Sequence, residues 1–299
     1  MLNAPVAVAR YSISPGERVE VLVNLNGQQG QMCDLKAFNG SLPSDVGGSQ
    51  PGSGIFANAL GGRTFNLLHI NVGAPTANPV TSIPGSLTTN IFWPDSTVNV
   101  TRHIFMSDVP NCPPGMNGCA WLDSTLFDMN FINQTVLLNN TEIWELQNLS
   151  IRAHPFHLHG VQFKILDYNG TPAPAFEQGW KDIVMVRSNT TARVITKFED
   201  YADDETPYMY HCHILFHEDF GMMGQFLVLD TTPVAIQPPD ISYTISDSVL
   251  CLNDCVQFNA SSTTNVDSWE WHFPGGIPDT SSMQNPVICY HCNGTIRVI

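Results

Sequence analysis

The chain has 299 residues, 43% of them apolar and 13% charged, with 22 Gly and 21 Pro; it is long enough for two or three domains with cores of their own. Twelve basic against 27 acidic residues leave a net charge of -15, which repels nucleic acid and anionic membrane surfaces and removes nucleic acid from the expected partners. No run of 18 apolar residues occurs, so no membrane insertion by a helix is expected.

In chain order, "VAVARYSI" and "VEVLVNL" are alternating β-branched runs separated by "SPGER", a turn signal, and are expected to be strands. A Gly/Ser/Pro-rich loop from Asn39 to Gly62 leads into "RTFNLLHINV", a further expected strand, and then into the turn-rich linker "GAPTANPVTSIPGSL". Residues 85–232 repeat the pattern in "TVNVTRHIFMSD", "QTVLLNNTEIWELQNLS", "HLHGVQFKILDYNG", "DIVMVRSNTTARVITKFED", "YMYHCHILFH" and "GQFLVLD". Period-two segments joined by short polar turns predict a β-sandwich, and no long helical pattern competes. From about Pro238 the composition changes, and short strands around "WEWHFPGG" predict a small separate β-sandwich without a clear last strand. The fold class is therefore all-β throughout.

Eight cysteines are many for a reducing cytosol and point to an exported protein. Cys112 and Cys119 bracket a Pro/Gly loop that a local disulfide would close, and Cys251, Cys255, Cys289 and Cys292 cluster near the end. If those six pair and Cys212 stays free, Cys33 is left over. The C-x3-C and C-x2-C spacings also fit zinc, but disulfides suit a secreted domain better.

The stretch "YMYHCHILFHEDFGMMGQF", residues 208–226, carries most of the chemistry. In an extended strand neighbouring side chains face opposite ways, so His211 and His213 point to one side and Cys212 to the other. Cys212-x4-His217-x4-Met222 offers thiolate, imidazole and thioether, lacking one imidazole of the His2Cys set with a weak axial Met that defines a blue-copper centre. "HPFHLHG" supplies it: by parity His154 lies opposite His157 and His159, so His154 joins Cys212, His217 and Met222. His157 and His159 then join His211 and His213 at a second, all-imidazole site. Zinc has no use for the axial thioether, which favours copper. His69 and His103 are isolated and read as ordinary strand histidines; Trp144 and Glu145 fit ordinary packing and pairing.

"HPFHLHG" and "HCHILFHEDFGMM" closely resemble the C-terminal copper motifs of the multicopper oxidases, the laccase-like group with spore-coat laccases, bilirubin oxidases and cuprous oxidases. "GWKDIVMV" and "SPGERVEVLV" resemble other segments of that group, so the similarity covers roughly residues 1–232. The resemblance implies cupredoxin-like Greek-key sandwiches, with residues 1–84 the latter part of a second cupredoxin domain plus linker and 85–232 the third. It implies His154, Cys212, His217 and Met222 as type 1 copper ligands, His157 for type 2, and His159, His211 and His213 for the type 3 pair. Met222 rather than Met223 keeps the spacing. Glu218 would assist proton delivery during O2 reduction.

That family completes its trinuclear cluster with two further HxH motifs from a first domain, and none precedes His154 here. Four of eight cluster imidazoles are thus supplied. Either an amino-terminal cupredoxin domain lies upstream, the favoured reading, or another chain supplies the remaining histidines; the opening residues show no basic and then apolar leader, and any such signal would lie upstream of Met1. The implied activity is one-electron oxidation of a small reducing substrate, with electrons entering through an exposed His217 or His154, passing by Cys212 to His211 and His213, and reducing O2 to water. Ten scattered methionines without a rich insertion favour a phenol or bilirubin-like substrate over a metal ion. The alternative is a blue-copper electron-transfer protein without oxidase activity. The tail, 238–299, resembles a PKD-type Ig-like β-sandwich, a module common in secreted bacterial proteins, which implies an extracellular or periplasmic location.

Overall fold

The computed structural model describes residues 1–52, 59–109, 120–230, 241–247, 254–262, 266 and 268–290. Two compact units divide the chain, Met1–Thr232 and Pro233–Ile299.

The first unit opens with residues that carry the expected alternation yet form no strand. Val19, Val21, Leu22 and Val23 lie exposed in irregular chain. β propensity reports fit to a half-buried pleated surface, and a strand exists only where a neighbour completes its ladder; among the described residues none adjoins 6–13 or 19–25. The strands that do form are β1 (Met32–Phe38) and β2 (Thr64–Asn71), an antiparallel pair with a register shift at Leu35/Lys36. Only β2 was expected, because "MCDLKAF" shows no clean alternation.

Residues 98–229 build two facing sheets. In chain order the strands are β3 (Val98–Asp108), β4 (Ala120–Leu122), β5 (Gln134–Leu137), β6 (Thr141–Asn148), β7 (His154–Leu158), β8 (Phe163–Tyr168), β9 (Thr171–Pro172), β10 (Ile183–Val186), β11 (Thr190–Lys197), β12 (Asp203–Cys212) and β13 (Met223–Leu229). One sheet has the order β10-β7-β12-β13-β5, the other β4-β3-β6-β11-β8-β9. Successive strands cross between sheets (β6 to β7, β7 to β8, β10 to β11), giving the expected sandwich. Three of the long expected segments each divide into two strands, because "LNN", "GVQ" and "RSN" make turns within them.

Alternation is cleanest in β8, where Phe163, Ile165 and Asp167 face in and their neighbours out. The core between the sheets centres on Trp144, wholly buried and edge-on to Tyr210 at 5.5 Å between ring centroids, with Phe156, Phe198 and Phe226 around it. Glu142, also wholly buried, takes Arg102 Nε at 2.6 Å and the Trp144 indole N–H at 3.1 Å, so its charge is paired and its lone pairs used.

The second unit pairs β14 (Ile241–Ile245), β15 (Cys255–Ser262), β19 (Val287–Tyr290) and β17 (Gly276–Ile277) in one sheet, and β16 (Trp271–His272) with β18 (Thr280–Ser281) in another. Its core holds Val256, Phe258, Trp271, Phe273, Ile288 and Tyr290. Cys255 and Cys289 form a disulfide between partner positions of β15 and β19. Cys33, exposed, and Cys212, buried, are free; Cys112, Cys119, Cys251 and Cys292 lie outside the described residues.

Candidate metal centre

Strand pairing brings the two histidine motifs together. β7 and β12 are antiparallel neighbours with His157 opposite His211 and Phe156 opposite Cys212. Past Cys212 the chain makes one helical turn, α1 (Leu215–Asp219), which the sequence pattern did not announce. The turn closes on Gly221, whose φ of +85° belongs to the left-handed region. Its N–H bonds the Glu218 carbonyl and the Met222 N–H bonds the His217 carbonyl, both at 2.9 Å, the Schellman arrangement that ends helices on glycine. This is the physical content of the C-x4-H-x4-M spacing. One turn returns His217 towards Cys212, and the cap returns Met222, whose carbonyl accepts the Cys212 N–H at 3.0 Å.

The first donor group is His154, Cys212 and His217. His154 Nδ1 and His217 Nδ1 are 3.1 Å apart, and each lies 3.5 Å from Cys212 Sγ. A point equidistant from the three atoms is about 2 Å from each, the length of a metal–imidazole bond. His154 is 0% exposed, Cys212 1% and His217 5%. Electrons were expected to enter through an exposed imidazole; instead both rings are buried, His154 behind Ser150 and His217 against Phe216. Met222 is wholly buried in the same core, while Met223 begins β13 and is partly exposed.

Burial sets the protonation of this group. It pushes the Cys212 thiol up to about 12, with Glu218 adding to the rise, and lowers His154 to about 3 and His217 to about 4, charge on His217 and Arg152 assisting for His154. Near neutral pH the three are a thiol and two neutral imidazoles, and a bound metal need displace only the thiol proton.

The second group lies on the other face of the same two strands. His157, His159 and His211 present ring nitrogens to one another, and His213 packs against His157 and His211 at centroid distances of 5.5 and 5.3 Å. His157 Nδ1 sits 2.8 Å from the Asp182 carbonyl and His211 Nδ1 3.0 Å from the Cys212 carbonyl. A carbonyl only accepts, so each of these Nδ1 atoms carries a proton and Nε2 is the nitrogen left facing the other rings. His211 Nε2 is 3.1 Å from His159 Nε2. Burial followed by its imidazole neighbours lowers His159 to about 4, and burial lowers His157. At 3.1 Å one of the two rings can donate its single proton to the other, and a metal ion would take the place of that shared proton. Glu218 places a carboxylate oxygen 3.4 Å from His211 Nδ1.

The "SPGER" turn closes one side of this face. A Cβ on Gly16, φ +74°, would lie 2.5 Å from His213 Nε2, so only glycine lets the backbone approach the ring. Glu17 holds the turn through Ser14 N–H at 3.0 Å, the Tyr11 hydroxyl at 2.7 Å and Lys181. Arg18 bonds Asp182 at 2.8 Å. His69 and His103 stand apart from both groups, paired with Asp34 and Glu145 at 2.6 and 2.9 Å. Sequence reasoning missed Asn148, Ser150 and Asp182, which contact ring nitrogens or the groups behind them. The only signal was the pair of short polar residues in "NLS", a type that bonds locally at turns.

Residues 96–232 match the family model described as multicopper oxidase. Across that segment the chain is similar to the multicopper oxidases. It is 40% identical over 118 residues to the multicopper oxidase mco of Staphylococcus haemolyticus, covering 38% of this chain and 26% of that protein. The cell division protein FtsP of Photorhabdus laumondii is 29% identical over 229 residues, 77% of this chain and 44% of the relative. Among solved structures, a bacterial laccase-like multicopper oxidase from the lignin-degrading Ochrobactrum sp. superposes with a TM-score of 0.61 at 29% identity, covering 76% of this chain and 48% of that one. The fold is cupredoxin-like, and this chain spans less than half the length of each of these three relatives.

Proposed function

We propose that this chain is the carboxy-terminal part of a laccase-like multicopper oxidase, with His154, Cys212, His217 and Met222 holding a type 1 copper. His157 serves a type 2 copper, and His159, His211 and His213 a type 3 pair. The observation that carries the reading is the buried triangle of one sulfur and two imidazole nitrogens, with Met222 hydrogen-bonded through its backbone to Cys212 and His217. FtsP shares the sequence over a longer span than the mco relative does, so similarity of fold alone does not carry the chemistry; the donor set does.

Copper in the first group supplies reversible one-electron transfer, and a completed cluster in the second supplies reduction of O2 to two waters. The chain's own residues do the rest. Cys212 is joined through backbone to His211 on one side and His213 on the other, which links the two donor groups covalently. His217, at 5% exposed the less buried of the two imidazoles, lies nearer the surface than His154 and would take electrons from a reducing substrate across its thin cover. Glu218 holds a carboxylate beside His211 Nδ1, where it can keep and pass a proton at the edge of the imidazole face. The four missing imidazoles come from an amino-terminal cupredoxin domain, residues 1–84 are the end of a second such domain, and 238–299 is a PKD-type module of an exported bacterial protein. The Ochrobactrum enzyme is described as oxidising lignin model compounds and lignosulfonate, which supports a phenolic donor here. A second reading, a blue-copper electron carrier, draws on one fact: the first group is complete in this chain and the second has four imidazoles.

Oxygen uptake with a phenolic donor separates the two. The oxidase reading predicts none from this chain alone and uptake once a segment bearing two HxH motifs precedes it; a full-length protein that takes up copper yet consumes no oxygen supports the carrier.

A further inference from the structure

Behind His154, on the side away from Cys212, lies a wholly buried polar pair. Asn148 and Ser150 are each 0% exposed, and burying two such residues is costly unless every polar atom is used. They are used in one direction only. Both Asn148 amide protons go to carbonyls, of Arg152 at 2.7 Å and Val186 at 2.9 Å. That orients the amide with Oδ1 towards Ser150, where it accepts the backbone N–H at 2.9 Å and faces the hydroxyl at 2.7 Å. An amide oxygen has no proton to offer, nor has the Arg152 carbonyl 2.9 Å from the same hydroxyl. The Ser150 proton is therefore spent on one of these two acceptors, and its oxygen lone pair is left for His154 Nε2 at 2.8 Å. Nε2 must then be the donor.

We propose that Asn148 and Ser150 are positioning residues that fix the tautomer of His154, setting Nε2–H towards Ser150 and the Nδ1 lone pair towards Cys212 and His217. The inference rests on the reading of His154 as a ligand, and it adds where the ligand's correct protonation comes from. Polarity passes from two backbone carbonyls through an amide and a hydroxyl to an imidazole. Val186, one of those carbonyls, is the residue opposite His154 in the β7–β10 register, so the sheet itself sets the direction. The pair selects which nitrogen can bind before any metal arrives, and it holds the ring plane by a bond at its far side.

The test is a long-range 1H–15N correlation of the histidine side chains in the metal-free full chain. Wild type should show His154 protonated at Nε2 and bare at Nδ1. In Ser150→Ala the ring should populate the other tautomer, and copper affinity should fall about 10–100-fold, as for other lost partners of ligating histidines; Ser150→Thr, which keeps the hydroxyl, should restore both. A proton on His154 Nδ1 in wild type overturns the proposal, as does Ser150→Ala with unchanged tautomer and affinity. If Ser150→Ala fails to fold, the wild-type spectrum decides alone. Nε2–H in wild type with no thiolate-to-copper band on reconstitution would overturn the ligand reading while upholding the polarity relay.

Discussion

The two donor groups sit on opposite faces of the same strand pair and differ in almost every physical respect. His154, Cys212 and His217 are at most 5% exposed and close around one point; His157, His159 and His213 are partly exposed, and among the described residues four imidazoles gather on that face. A group built by one loop and one strand can be complete within a single sandwich. A group that opens from the face of that sandwich needs a second surface. Completeness here follows from which way a side chain points off β7 and β12, and one residue of parity decides it.

Replacing Cys212 by Ser breaks the comparison most severely. The intense thiolate-to-copper absorption should vanish entirely, while imidazole signals from the opposite face persist; a surviving band would mean the sulfur is not the ligand. A pH series sharpens it. With the thiol pushed up to about 12 and the two imidazoles lowered to about 3 and 4, the metal-free group holds one displaceable proton across mid-range pH. Metal competes with that proton, so affinity rises with pH, about tenfold per unit between roughly pH 5 and 9. A competition titration showing a flat profile would contradict a protonated Cys212. Trp144→Ala acts on both faces at once, because its ring packs on Phe156 and Tyr210, neighbours of His157 and His211. It should cost about 3–5 kcal/mol by denaturant unfolding. Gly221→Ala is smaller and local. The left-handed conformation costs an L residue about 1–2 kcal/mol, and the Cβ would meet Phe127 N at 3.1 Å. The variant should fold with lowered stability and a displaced thiolate-to-copper band, leaving the imidazole face unchanged.

Much of this comparison was legible in the sequence, for a definite reason. The position of His154 opposite His157 and His159 needs only the period of a strand, and Cys212, His217 and Met222 needed only their spacing. What closes that spacing, the single turn Leu215–Asp219 ending on Gly221, was not legible because five residues are too few to show a helical period. The strands expected at 6–13 and 19–25 failed for the opposite reason: the local pattern was present, and among the described residues no strand pairs with it. Asn148 and Ser150 escaped because a polar residue in a strand-to-turn passage looks alike whether it faces water or the back of an imidazole. The burial of His154 and His217 was likewise a tertiary property, set by Ser150 and Phe216 rather than by the motif.

Copper per folded chain, measured by elemental analysis after reconstitution under reducing conditions and read together with the visible spectrum on oxidation, tests the central claim most directly. One tightly held copper with a thiolate-to-copper band is the predicted result. Copper held without that band, or close to four per chain, would contradict a complete type 1 site beside a half-supplied cluster.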